Sequence, residues 1–496
     1  MNAQLLFSIF FTLITLFRFY FSASLNVTPD ETYYWYWSQH LALSYFDHPP
    51  MVSYLIKMST ALFGNHAWAV RLPALFMGIG SSYLVYLLSK EVFRDRNAGL
   101  LSVVILNTIL LFSVSMVIIT PDTPQLFFWL LTLYFSFHAV YGNKTVNWIL
   151  TGLSFGLGLL SKYTMILYLP GFILFLLATP PFRHYLVSWK PWAGFGLALL
   201  VFFPVIIWNY QHQWISFLFQ IHHGTDSREM GGFRYFWEFL GSQAALFSPF
   251  IFLGFFWALF KAFKIGKKKN LHPFAFLFWS VVPVFVFFLY ESLHTKIEAN
   301  WAGFAQAGSI ILLGGFLNQK IRDRPKNSKK VIYAAIAIIS FSFLATSLVH
   351  LQPYFKLIPL SVDRDRTNDL IGWEELQKIK AVRPETTNLP VLTTSHTLVG
   401  EASFYLQTPD VYQWGAPQRI TDLTQAHSLP PNGSSFLLMT CDDDQFSAEA
   451  KSLFAEINPI ADIPVFYPKS PSGIKIRTYH FYLAKNFTGI PQSEKK

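Results

Sequence analysis

Apolar residues dominate the first 350 positions of the chain and give way abruptly after them. Stretches of roughly 15–22 apolar residues are long enough to cross a hydrocarbon core of about 30 Å. Read this way, the pattern predicts eleven membrane helices, near residues 4–22, 68–89, 98–119, 125–140, 147–161, 163–179, 192–208, 240–260, 272–290, 302–318 and 331–350. The first run ends at Ser22-Ala23-Ser24, a small-residue exit like that of a signal peptide. It lacks a basic segment ahead of it and many spans follow it, so it is expected to stay as the first helix. Beyond residue 350 the segments become short. A strand is predicted at 391–394, a helix at 398–406, a strand at 435–440, a helix at 447–457, and strands at 463–467 and 474–483. The expected fold is a polytopic α-helical membrane domain, residues 1–350, followed by an extracytoplasmic α/β domain, residues 351–496, large enough to bury its own core.

The connections between apolar runs alternate in charge. One set is basic: Lys90, Arg94 and Arg96, then Lys144, then Arg183 and Lys190, with denser clusters at 261–269 and 320–330. The other set is poor in Lys and Arg and rich in Asp, Glu, His, Trp and Tyr. The positive-inside rule places the basic set in the cytoplasm, with the N-terminus, and puts the segment after residue 350 outside.

Composition agrees with this reading. The chain is 52% hydrophobic and 13% charged, against about 25% charged in a soluble domain. Its formal charge of +10 lies in short blocks between apolar runs, which assigns it to topology and not to nucleic acid. A single cysteine, Cys441, excludes an internal disulfide framework.

Ionisable residues collect on the predicted outer side, where a membrane enzyme would handle substrate. The first outer segment, residues 23–67, holds Pro29-Asp30-Glu31-Thr32-Tyr33 and then Tyr45-Phe46-Asp47-His48-Pro49-Pro50. Further along are Asp122 in a Thr-Pro-Asp-Thr-Pro turn, Lys162, the stretch Gln211-His212-Gln213-Trp214 with Arg228 and Arg234 beyond it, and Lys296-Ile297-Glu298-Ala299-Asn300-Trp301. Each alone reads equally well as a helix cap or a snorkelling cation; five clusters on one side are harder to explain that way. A carboxylate such as Asp30 can accept the proton of an acceptor hydroxyl. Cations such as His48, Lys162, Arg228 or Arg234 can stabilise the phosphate that a lipid-linked sugar leaves behind. Glu31, Tyr33, Asp47, His212, Glu298 and Asn300 are candidates to contact substrate. A divalent metal on Asp47 and His48 is a further option, although no tight ligand spacing occurs. P-loop, Rossmann and nucleophile-elbow patterns are absent.

These motifs resemble the bacterial branch of the protein mannosyltransferase superfamily, which includes lipid A aminoarabinose and galacturonosyl transferases. The resemblance rests on Asp30-Glu31, on Asp47-His48-Pro49-Pro50, on Trp68-Ala69-Val70-Arg71-Leu72-Pro73, on the segments at 211–214 and 296–301, and on Glu401-Ala402-Ser403-Phe404-Tyr405-Leu406. It implies the large membrane glycosyltransferase fold called GT-C, a polyprenyl-phosphate-sugar donor, a lipid, glycan or protein acceptor, and direct inverting displacement in a bacterial inner membrane. On that pattern Asp30 is the base or acceptor-orienting carboxylate, Asp122 the second carboxylate, and Asp47 a metal- or phosphate-site residue. The chain departs from the aminoarabinose transferases in two places: Tyr33 stands where they carry Arg, and Asp47-His48-Pro49 where they carry Glu-Lys-Pro. Both changes remove a permanent cation, which argues against aminoarabinose as the sugar. A transporter or flippase, or a polymerase of lipid-linked glycans, is the alternative.

Overall fold

The computed structural model describes residues 3–223, 233–267, 271–323, 328–414, 430–467 and 473–488. The chain divides into two compact units. The first comprises Met1–Ser22, Ala42–Leu55 and Arg71–Ser347, and the second Ala23–Leu41, Ile56–Val70 and Leu348–Lys496.

Helices make up the first unit and the N-terminal segments of the second. Helix α1 is Ala3–Ser24, and the segment expected as a plain loop carries two helices of its own, α2 (Pro29–Gln39) and α3 (Met51–Phe63). Then follow α4 (Ala67–Phe93), α5 (Arg96–Thr108), α6 (Leu110–Ser115), α7 (Asp122–Gly142), α8 (Thr145–Leu159) and α9 (Tyr168–Ala178). The series continues with α10 (Trp189–Gln211), α11 (Ile215–His223), α12 (Phe233–Phe247), α13 (Pro249–Gly266), α14 (His272–Glu291), α15 (Ala307–Asp323) and α16 (Ser328–Phe355). Among the described residues six helices are long and apolar enough to cross a membrane: Gln4–Ser24, Ala67–Phe93, Trp189–Gln211, Pro249–Gly266, His272–Glu291 and Ser328–Phe355. Shorter apolar helices lie at Met51–Phe63, Thr145–Leu159 and Tyr163–Ala178.

Two of the expected spans are broken, each for a local reason. The run at 98–119 divides at Ile109, whose backbone is extended (φ −80°, ψ 129°). The run at 240–260 divides at Ser248, with φ 69°. Pro249 disfavours a helical residue before it and has no N–H to continue the helix, so α13 restarts with Pro at its first position.

The first unit is packed through aromatic edges and small residues. Trp129, fully buried, meets the edge of Phe304 with centroids 4.7 Å apart and of Tyr168 at 5.8 Å. Helices α8 and α10 approach closely because Gly152 on one faces Gly194 on the other, and a Cβ built at Gly152 would fall inside contact distance of the Gly194 carbonyl. Gly156, one turn on, lies against Ala198 in the same way. This is the small-residue contact by which membrane helices gain dispersion energy without a hydrophobic drive.

In the second unit a five-stranded sheet has the order β2-β1-β3-β5-β4. Strand β1 is Val391–Thr393, β2 Val411–Gln413, β3 Phe436–Cys441, β4 Phe454–Phe466 and β5 Lys475–Phe487. Strand β1 runs parallel to β2 and β3, while β5 is antiparallel to β3 and β4. Between β1 and β2 the chain crosses over through helix α18, His396–Leu406, which follows a short α17 at Lys378–Val382. The central β3 is buried at five successive residues, as expected of a strand covered on both faces. The helix expected at 447–457 is confined to Ala448–Ser452, because β4 begins at Phe454 and pairs along β5. Long-range pairing overrides local helical preference there.

A valine at position 152 has no room without separating α8 from α10, so Gly152→Val should cost about 1–3 kcal/mol by overpacking. The check is thermal unfolding of the purified protein in detergent, with an unchanged midpoint contradicting the packing account.

Candidate functional site

The acidic pair of the first motif sits in the first turn of α2, in the second unit. Thr28 is the N-cap and forms a capping box with Glu31: the Thr28 N–H donates to Glu31 Oε2 at 2.9 Å, and the Glu31 N–H donates to Thr28 Oγ1 at 3.4 Å. Pro29 occupies a first-turn position where its missing N–H costs nothing. The two carboxylates therefore have different fates. Glu31 is fully buried and engaged in the cap, whereas Asp30 is exposed at the helix N-terminus, where the helix dipole favours negative charge. Tyr33, half-buried, packs on Trp37 with centroids 4.7 Å apart.

The rest of α2 is a block of buried aromatics, and α18 covers it. Trp35 meets the edge of Phe404 at 5.0 Å, and the Val27 N–H donates to the Tyr405 hydroxyl at 3.0 Å. Gly400 brings the backbone of α18 onto α2, since a Cβ there would lie 2.8 Å from Thr32 Oγ1. The Trp35 indole N–H is satisfied by Asn65 Oδ1 at 3.0 Å.

The first unit holds the remaining clusters. The Tyr45 N–H donates to the His48 carbonyl at 3.2 Å, closing a turn that is fixed on both sides. Phe46 packs on Phe219 at 4.7 Å, and Gln220 Nε2 donates to the Asp47 carbonyl at 2.8 Å. Asp47 is buried at 2% exposure and His48 is half-buried. The Met51 N–H donates to the Leu160 carbonyl at 3.0 Å, which anchors the motif to the segment leading into Lys162.

Three predicted residues meet directly. Lys162 Nζ donates to Asp122 Oδ1 at 2.8 Å, and Asn300 Nδ2 donates to Asp122 Oδ2 at 2.9 Å. Both partners of the ion pair are largely buried, with side chains 9% and 15% exposed. Asp122 is thus the hub of a polar trio drawn from three parts of the chain. An ammonium has three donors, and one is given to Asp122, so Lys162 is held in place and retains capacity toward an anion. Gln125 and Thr164, joined at 2.8 Å, repeat the link between the same two segments.

The other predicted residues are not drawn into this trio. His212 caps α10, is exposed, and stacks on Trp208 with centroids 4.0 Å apart. Arg234 is 77% exposed and pairs with Glu238 one turn on, at 2.7 Å. Glu298 is exposed and 3.6 Å from Lys296. Arg228 lies outside the described residues. Among the described residues no three His, Cys, Asp or Glu side chains come together as a metal-binding group.

Taking one partner from a buried ion pair commonly costs about 3–5 kcal/mol, because the other charge is left uncompensated. Asp122→Ala should accordingly lower thermal stability sharply, and Lys162→Met placed on top of it should recover much of the loss. A double-mutant cycle in which the two effects simply add would contradict the pairing.

Residues 47–208 match the dolichyl-phosphate-mannose-protein mannosyltransferase family. The lipid A galacturonosyltransferase of Rhizobium johnstonii is 27% identical over 288 residues, covering 57% of this chain and 59% of that protein. An undecaprenyl phosphate-alpha-4-amino-4-deoxy-L-arabinose arabinosyl transferase of Erwinia tasmaniensis is 30% identical over 221 residues, covering 41% of this chain and 37% of that protein. The chain thus matches less than two thirds of the length of either relative. Among solved structures, ArnT from Cupriavidus metallidurans superposes in its apo state with a TM-score of 0.69 at 15% identity, over 99% of both chains. Its undecaprenyl phosphate-bound state gives 0.69 at 14% identity, over 97% of this chain and 98% of that one. The chain therefore has the GT-C fold of ArnT, and its residues 47–208 are similar to the dolichyl-phosphate-mannose-protein mannosyltransferase family.

Proposed function

We propose that the chain is an inverting glycosyltransferase that moves a sugar from a polyprenyl-phosphate carrier to an extracytoplasmic acceptor, which is lipid A, another glycan or a protein. The observation that carries this reading is the division of labour in the acidic pair. Glu31 is buried in the capping box, while Asp30 stands exposed in the same helical turn. A carboxylate held in that way suits a base. Asp30 takes the proton of the acceptor hydroxyl, and the hydroxyl oxygen bonds to the anomeric carbon. The bond from that carbon to the phosphate oxygen breaks with its electron pair, leaving polyprenyl phosphate and an inverted anomeric centre. Lys162, fixed by Asp122 and Asn300, supplies positive charge for the departing phosphate; His48 is its second candidate. The binding of undecaprenyl phosphate by ArnT, which shares the fold, supports the donor class. The names of the two sugar transferases support the reaction class.

The basic connections put the N-terminus in the cytoplasm and residues beyond 350 outside, in the plasma membrane of a bacterium. Tyr33 and His48, in place of the Arg and Lys of the aminoarabinose transferases, favour a sugar other than aminoarabinose.

Loss of a positioned general base lowers turnover by about 10²–10⁴-fold. Asp30→Asn in membranes supplied with polyprenyl-phosphate sugar should show a loss of this size with expression and membrane insertion intact. Unchanged turnover would remove Asp30 from the role of base.

A further inference from the structure

Helix α18 carries a fully buried carboxyl that the transfer reaction does not use. Glu401 is 0% exposed and lies where α18 meets α2; neither of its oxygens has a well-formed hydrogen bond among the described residues, and the Thr32 hydroxyl is the polar group beside it. The titratable and charged groups around it are Glu31 on α2, Asp369 in the turn at Arg366–Leu370, and Arg477 and Tyr479 on β5. Arg477 is committed elsewhere: its guanidinium donates to the Asn368 carbonyl at 2.6 Å and lies 4.1 Å over the Trp373 ring.

We propose that Glu401 is a positioning residue for Asp30. Seated between α18 and α2, it fixes the placement of α2 and so the point at which α2 presents the exposed carboxylate. The proposal rests on the reading of Asp30 as the base. Thr32 is the link. Its hydroxyl lies beside Glu401 and already donates its own proton to the Pro29 carbonyl at 3.0 Å, which leaves its oxygen as an acceptor. A protonated Glu401 can donate to that oxygen while Thr32 keeps its bond to Pro29; an ionised one can engage the hydroxyl only by drawing its proton away from the Pro29 carbonyl. Burial raises the Glu401 carboxyl well above the usual carboxylate range; Arg477 and, more weakly, the Thr32 hydroxyl oppose this, while Asp369 and Glu31 add to it. The acid form is therefore the one that fits. A raised carboxyl stabilises the fold fully below the unfolded carboxylate range, and that contribution is lost as pH rises through the folded value. The contact between the helices thus weakens as pH rises above the ordinary carboxylate range.

The test compares Glu401→Gln, whose amide can still donate to Thr32, with Glu401→Met, which has similar length and no donor. Displacement of a reacting group by about 1 Å can cost on the order of a hundredfold. The Met variant should lose roughly ten- to a hundredfold in kcat with KM for the lipid donor unchanged. The Gln variant should recover most of that loss and extend the alkaline limb of the pH profile. In a Cys441→Ser background, Asp30→Cys gives a readout independent of transfer. Its maleimide labelling rate should change several-fold with Met at 401 and return with Gln. Equal kcat and labelling across all three chains, or a Gln variant as impaired as the Met variant, would overturn the proposal. Absence of transfer in the parent chain would refute the glycosyltransferase reading alone, because the labelling comparison still decides this one. If the Met variant does not fold, melting of the parent and the Gln variant from the ordinary carboxylate range upward in pH decides instead: the parent should lose more stability as pH rises, and identical profiles would overturn the proposal.

Discussion

A helix of eleven residues is too short to persist in water on its own, so α2 owes its existence to what covers it. Its middle is Tyr33-Tyr34-Trp35-Tyr36-Trp37, aromatic on every side, and all but Tyr33 are buried. Edge-to-face contacts such as Trp35 with Phe404 contribute about 0.5–1.5 kcal/mol each beyond area burial. The capping box closes the N-terminal turn, and Gly400 lets α18 approach without a Cβ in the way. Asp30 is the one acidic residue of that turn left at the surface. Its placement is set by aromatic packing several residues away.

The first unit solves a different problem. A lysine and an aspartate in a largely buried setting lose hydration, and their attraction repays this only when the remaining hydrogen-bonding capacity is met. Asn300 meets it for Asp122 by occupying the second carboxylate oxygen. The trio thereby fixes Lys162 as a cation of defined position, which a phosphate-stabilising group requires. Through these two contacts Asp122 also places Lys162.

Much of this was legible in the sequence, and the remainder was hidden for physical reasons. Long apolar runs announced the membrane helices, because a span must satisfy its backbone internally and so must be continuous. Breaks at Ile109 and Ser248 were not visible in hydropathy, although Pro249 marked the second. Helix α2 was missed because an aromatic block buried all round has no 3.6-residue period. Its start was nevertheless written in Thr28-Pro29-Asp30-Glu31, a cap residue with Pro at the first position and Glu at the third. The trio of Asp122, Lys162 and Asn300 was named residue by residue but not as a unit, since only tertiary packing brings positions 122, 162 and 300 together. Glu401 stands in the sequence only as the first residue of the Glu401–Leu406 motif, because burial of a carboxyl leaves no trace in the sequence. Arg234 and Glu298 drew attention by charge, yet their described partners are local and exposed.

The central claim is that the chain consumes a polyprenyl-phosphate sugar and adds the sugar to an extracytoplasmic glycoconjugate. Mass spectrometry of the lipid extract, lipid A and surface glycans from a deletion strain, set beside its parent, tests this most directly. The account predicts that one glycoconjugate loses the mass of a single sugar unit while intact polyprenyl-phosphate sugar accumulates. Identical glycoconjugates and an unchanged lipid-linked donor pool in the two strains would contradict it.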